Sequence, residues 1–486
     1  MNSTDKWTAS DLEKWSEKIE KIASSFGLDW YPQEFEIVDY ETMLGLMAYH
    51  GIPSYYPHWS FGKAYERQAT LYEYDFAGLP YELVINTNPC AAYLMNENSL
   101  ALQILTMAHV YAHNNFFKNN TNFSRGTRAE LALEFFHASA ERIRSYGADP
   151  SIGQEKVEKL LDAAHALMWH CSQVPGIGYV SQKEKKQKIL AGVNESHTDR
   201  WGHLKEKEKT EPPDLNKLPI KPEENFLLFI RDHSPRKFED WEVDILTIAA
   251  ETLDYFKPQI LTKIMNEGWA SYWHDRIIRS LGLPADLLLE INQSHSAVIC
   301  PPDNPLTINP YFVGIKVWQD IFRKYEEPTD EEKERYAIKG GEGAKQIFHV
   351  MRTGNDSSFL RAYLTKELMT DLFFLKYGAS GDQFIVDELV EENNWKKIRN
   401  LLARDVGLGL VPDIRIKDAD HNGSRSAYLV HNFDGRHLDK EYAKRALEHF
   451  YYLWGRPVVL ETTTYRRRSP YIYQYDGKSH SQNRKK

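Results

Sequence analysis

The sequence predicts an α+β fold, mostly helical, in which a helical core carries a short sheet and a small β-β-α-β domain follows it. Three observations predict it. Residues 99–118, SLALQILTMAHVYAHNNFFK, place Leu102, Leu105, Ala108, Ala112 and Phe116 at three- and four-residue spacing, the period of an amphipathic helix with one buried stripe. Residues 258–282, PQILTKIMNEGWASYWHDRIIRSLG, repeat that spacing through Glu267, Ser271, His274 and Ile278. Residues 414–433, IRIKDADHNGSRSAYLVHNF, set two strand-like runs around Asn422-Gly423, the dipeptide that tight hairpins prefer.

Composition bounds the function. A chain of 486 residues, 42% hydrophobic and 13% aromatic, can bury a large core and form two or three domains. A net charge of -9 and a pI near 6.1 argue against a nucleic-acid binder working through a broad basic surface. Cys90, Cys171 and Cys300 are far apart and form no CxxC pair, so neither a disulfide framework nor a thiolate zinc site is expected. The N-terminus has no apolar core of a signal peptide, and no run of about 18 apolar residues could form a transmembrane segment. The expected location is the cytoplasm.

Taken in order, residues 8–26 form a helix through Leu12, Trp15, Ile19 and Ile22, stopped at Gly27. A short strand or turn, a helix and an aromatic loop follow; the loop is broken by Pro53 and Pro57 and carries Tyr55, Tyr56, His58 and Trp59. Leu79–Asn86 is a strand, ended by Thr87-Asn88-Pro89, and Asn98 or Ser99 caps the central helix. Thr127 with Glu130 three residues on is a capping box for a helix ending at Gly147; its face of Glu130, Glu134, His137 and Glu141 is most simply a solvated one. A helix over Gln154–Cys171 carries His165 and His170 at its edges as core or rim histidines.

The predicted organisation is a helical part over 1–181, a charged linker or surface excursion over 182–224, a second helical part over 225–400, the β-β-α-β domain over 401–465 and a basic tail over 466–486. In the β-β-α-β domain the helix runs over Lys440–Leu453, and VVLET after Gly455-Arg456-Pro457 is the last strand.

His109 and His113 lie four apart on one helix face, the arrangement by which one rigid element gives a metal two imidazoles, and Glu267 on the later helix is the carboxylate to join them. His109-V-Y-A-His113 with Asn266-E-G-W-Ala270 resembles the gluzincin scheme of zinc metallopeptidases, in which an HExxH helix and a downstream glutamate hold the ion. The resemblance implies a gluzincin-like core and a divalent metal, zinc by preference. It departs at Val110, where the catalytic glutamate would stand. Tyr55, Glu134 and His274 are the candidates to replace that base; His274, Glu134 or His137 could also complete the ligand shell.

The runs MLGLMAYHGIPSYYPHWSFGK, LPYELVINTNPCAAYLMNEN, AHVYAHNNFFKNN, YFKPQILTKIMNEGWASYWH and LVHNFDGRHLDKEYAKRALEHFYYLWGRPVVLET resemble the stage V sporulation protein R (SpoVR-like) family over nearly the whole chain from about Trp30 to Thr462. The resemblance implies a role in forming the spore cortex, a modified peptidoglycan, from the mother-cell cytoplasm. Three readings follow: a metal-dependent hydrolase or amidase of a cytosolic cell-wall precursor or a protein partner; a non-hydrolytic metalloprotein with a carboxylate-rich site using Glu134 and His137 as an E-x-x-H pair; and a non-catalytic scaffold or regulator of cortex assembly.

Overall fold

The computed structural model describes residues 7–73, 82–191, 214–302, 307–372, 376–380, 383–388, 390–464 and 467–484. Its elements are mostly helices, with small sheets, as the periodicity predicts. Two compact units divide the chain: Met1–Glu141 with Asp254–Leu410, and Arg142–Leu253 with Val411–Lys486. Each unit is thus built from two separated stretches of chain.

The first unit is organised around the helix Leu100–Asn119. With α1 at Ala9–Ser25, this central helix is α2; Ser99 caps it by accepting from Leu102 N. One buried stripe was the expectation, but Gln103 through Phe117 are buried without interruption. The polar residues on the far side are buried because loop backbone meets them. Asn114 donates to Tyr31 O and accepts from Tyr31 N, both at 2.9 Å, while Asn115 donates to Asp29 O at 2.9 Å and accepts from Trp269 Nε1 at 3.0 Å.

A three-stranded sheet packs beside α2 in the order β1-β3-β2, with β1 Gln33–Val38 parallel and β2 Glu82–Ile85 antiparallel to β3 Cys90–Met95. The expected strand over Leu79–Asn86 is described only from Glu82, since 79–81 lie outside the described residues. Thr127 does not open the next helix but closes the helix Thr121–Gly126 as its C-cap. Its hydroxyl donates to Phe123 O and accepts from Asn86 Nδ2, so the next helix starts only at Ala132, after a 3-10 turn at Ala129–Leu131.

Three more helices complete the setting of the site: α3 at Lys263–Ser280, α4 at Ala285–Val298 and α5 at Pro310–Glu326. Pro310 sits at the first turn of α5, where its missing N–H costs nothing, and Asn309 accepts from Tyr311 N and Phe312 N. The first free N–H groups of α3 are met from outside: buried Asp356 accepts from Ile264 N and Met265 N, both at 2.9 Å. Gly268 of α3 and Gly314 of α5 let the two backbones touch. Around this crossing Trp269 meets Trp273, Trp318 and Phe348 edge-on at centroid distances of 5.5, 5.0 and 5.3 Å, forming the aromatic centre of the core.

After a two-stranded antiparallel ribbon in the first unit, β4 Lys376–Ser380 with β5 Gln383–Glu388, the second unit holds a five-stranded sheet in the order β10 His480–Arg484, β9 Arg467–Tyr475, β8 Val458–Thr464, β7 Ser426–His431, β6 Ile414–His421. The hairpin of β6 Ile414–His421 and β7 Ser426–His431 turns through Asn422 and Gly423, both at positive φ, as the dipeptide predicts. The helix Lys440–Trp454 then crosses over to β8 Val458–Thr464, parallel to β7. Here the tail expectation fails: β9 Arg467–Tyr475 and β10 His480–Arg484 extend the sheet. Tyr471, Tyr473 and Tyr475 alternate along β9 opposite Thr462, Leu460 and Val458, a period of two that the neighbouring arginines hide.

The charged stretch 182–224 also holds structure. Gln182–Leu190 is a helix capped by Ser181, and Gln182 donates to buried Glu223, whose backbone pairs with Ile416 through bonds of 2.9 and 2.8 Å. Residues 192–213 of that stretch lie outside the described residues.

Candidate metal centre

The residues that converge come from three elements of the first unit. Spacing on α2 brings the rings of His109 and His113 edge-on, with centroids 4.6 Å apart. From α3, Glu267 Oε2 stands 3.4 Å from His113 Nε2 and 3.7 Å from His109 Nε2. One ligand atom from each of the three residues lies within 4.8 Å of the other two. From β2, Glu82 Oε1 stands 3.8 Å from His109 Nε2.

The far side of each imidazole is engaged. His113 Nδ1 lies 2.9 Å from Asn266 Oδ1, an atom that only accepts, so Nδ1 carries a proton and Nε2 is the nitrogen that faces Glu267. His109 Nδ1 lies 2.8 Å from His274 Nδ1, and His274 Nε2 lies 2.7 Å from His295 Nδ1. On the near side, His109 Nε2 and Glu267 Oε2 are buried with no hydrogen-bond partner among the described residues. Side-chain exposure is 7% and 5% for the imidazoles against 17% and 20% for Glu82 and Glu267, so the centre opens on its carboxylate side.

Electrostatics separate the two carboxylates. Burial alone would raise the Glu267 carboxyl, but the facing imidazoles of His109 and His113 hold it far below the usual carboxylate range. Glu82 has the opposite balance: burial pushes it up to about 7, with His113 opposing and Glu267 adding to the rise. Burial, reinforced by His113, lowers His109 to about 4. Glu267, burial and Glu82 push the Tyr311 hydroxyl up, so it stays protonated and donates to Glu267.

The other sequence candidates land elsewhere. Tyr55 is buried in an aromatic cluster, with centroids 4.6 Å from Tyr56, 5.0 Å from Phe61 and 5.5 Å from Phe136. Glu134 and His137 are exposed on the helix Ala132–Ala148, and His137 Nδ1 is 3.2 Å from Ser54 Oγ; neither is among the converging atoms. His274 is one hydrogen bond behind His109 rather than in front of it. Val110 is fully buried. Glu82, Asn266, His295 and Tyr311 were missed as functional candidates. Asn266 was visible as the neighbour of Glu267; Glu82 gave no signal beyond an acidic residue in an otherwise apolar strand.

The family described as "SpoVR like protein" matches residues 6–411, and that described as "SpoVR-like C-terminal domain" matches 412–465. The chain belongs to the SpoVR-like family. The border between the two SpoVR-like segments falls within a residue of Val411, where the chain enters the second unit for the last time. A relative printed as "Uncharacterized protein YcgB", from Escherichia coli (strain K12), is 35% identical over 477 residues, which covers 94% of this chain and 92% of the relative. No solved structure matches this SpoVR-like chain. Among the described residues, no helix is long and apolar enough to cross a membrane.

Proposed function

We propose that this SpoVR-like protein holds one divalent ion between His109, His113 and Glu267, and that it works as a metal-dependent hydrolase or amidase in forming the spore cortex. The convergence of the three side chains carries the reading. Two imidazole nitrogens and a carboxylate oxygen are the donor set of catalytic zinc sites. Atoms held at bonds of about 2.0–2.2 Å around a tetrahedral ion stand roughly 3.3–3.6 Å apart, close to the 3.4 and 3.7 Å found here. Buried polar atoms without partners are costly, and His109 Nε2 and Glu267 Oε2 are two such atoms facing one point.

A bound ion of this kind supplies Lewis-acid polarisation of a carbonyl and a water of lowered pKa. The chain's own residues supply the rest. Glu82 is the carboxylate placed to accept a proton beside the ligands, in the role that Val110 cannot fill and in place of Tyr55 or Glu134. Tyr311 holds Glu267 in place. The motif likeness to gluzincins supports hydrolysis, family membership supports the cortex role, and a cytoplasmic protein would act on a precursor or another protein rather than on assembled peptidoglycan.

Metal analysis of full-length protein made without a metal-binding tag should find one ion per chain. Glu267→Gln, near in shape but neutral, should weaken binding and abolish cortex formation at normal protein abundance. A normal cortex from folded, abundant Glu267→Gln protein would sink the catalytic reading and favour a scaffold.

A further inference from the structure

The two ligand imidazoles are backed differently. Asn266 Oδ1 can only accept, so it fixes the His113 tautomer by itself. His109 is backed by another imidazole, which can accept or donate through the same nitrogen. The other nitrogen of His274 needs a partner of its own, and that partner is His295 on α4, whose Nδ1 lies 2.7 Å from His274 Nε2.

Two ring nitrogens in contact share one proton, so the two bonds run in the same direction. In one direction His109 Nδ1 donates to His274 Nδ1, His274 Nε2 donates to His295 Nδ1, and His109 Nε2 is a lone pair facing Glu267. In the other, His109 Nε2 carries a proton aimed at the point where an ion would sit. Either direction places one proton on each of the three rings. His109 and His274 are 6% and 5% exposed, whereas His295 is half-buried, so the outer end of the chain meets solvent and accommodates either direction.

We infer that His295 is a positioning residue of the metal centre: acting through His274, it supports the tautomer in which His109 presents Nε2 to the ion as a lone pair. The inference rests on His109 being a ligand. Without His295, the ion-bound tautomer leaves the His274 Nε2–H buried and without an acceptor. The cost falls on ion binding although His295 never touches the ion.

The test uses full-length protein and zinc alone. His295→Phe should weaken zinc binding by about 10-fold, the low end for groups behind a ligand, because it acts through a second ring. His295→Gln, whose amide oxygen can accept from His274, should recover most of that loss, which a merely structural role would not predict. In zinc-loaded wild-type protein labelled with 15N at histidine, nuclear magnetic resonance should find the His109 proton on Nδ1 and the His274 proton on Nε2. Wild-type zinc affinity in His295→Phe, no recovery in His295→Gln, or a His274 proton on Nδ1 would overturn the relay alone. Absence of zinc binding by the wild-type protein would overturn the metal centre and the relay with it.

Discussion

Gly268 and Gly314 bring two helix backbones into direct contact, and a Cβ on Gly268 would stand 2.3 Å from Gly314 Cα. The contact sits one residue from Glu267 on α3 and three from Tyr311 on α5, so the crossing that permits it also sets how close Tyr311 comes to the carboxylate.

Gly314→Ala should therefore act on the site as well as the fold. Its Cβ would meet Ile264 O at 2.3 Å, and backbone cannot yield as a side-chain tip can. The expected loss is about 1–3 kcal/mol of stability, as for other overpacked contacts, with zinc affinity falling alongside it. Chemical unfolding and zinc titration on the same sample check this; unchanged affinity at reduced stability would show that the crossing does not position Glu267.

The second prediction separates Glu82 from the ligands. Glu82→Gln should keep one zinc per chain yet lose cortex formation, since a positioned general base is worth on the order of 10²–10⁴ in rate. Adding the absent motif carboxylate as Val110→Glu should not restore function in that background. Val110 is fully buried, and an unpaired carboxylate there should cost several kcal/mol; soluble, active Val110→Glu protein would contradict the assignment.

A pH dependence follows from Asp356. Burial raises its carboxyl from 3.8 to about 7, against the two backbone N–H groups that favour its anion. A carboxyl that holds its proton more tightly folded than unfolded stabilises fully below its unfolded value and loses that contribution as pH rises through the folded one. Metal-free wild-type protein should therefore lose stability relative to Asp356→Asn between about pH 4 and 7. Urea midpoints of both proteins across that range give the difference, in which titrations common to both cancel; a constant difference would reject the assignment.

The convergence of His109, His113 and Glu267 was legible because it is written in local spacing: four residues on α2 and the N-E-G-W-A run on α3. What stands behind and beside them was not. Glu82 lies on a four-residue strand, and neither it nor His295 has a sequence neighbour in the site. The full burial of α2 was hidden because Asn114 and Asn115 look like a solvated face until the backbone of Asp29 and Tyr31 is seen to satisfy them. Strand β9 was hidden for the converse reason: alternation past Thr464 is interrupted in the sequence by a cluster of arginines. Local period reports which residues share a face; it does not report which faces find polar partners from a distant stretch.

His109 and His274 are 165 residues apart in the chain. At ribosomal rates of about 5–20 residues per second, α3 follows α2 into solution by roughly 10–30 s. For that interval neither Asn266 nor His274 exists to set the protons of the two imidazoles. Under the proposed metal centre, the two imidazoles are therefore made well before the carboxylate that would complete the ligand set.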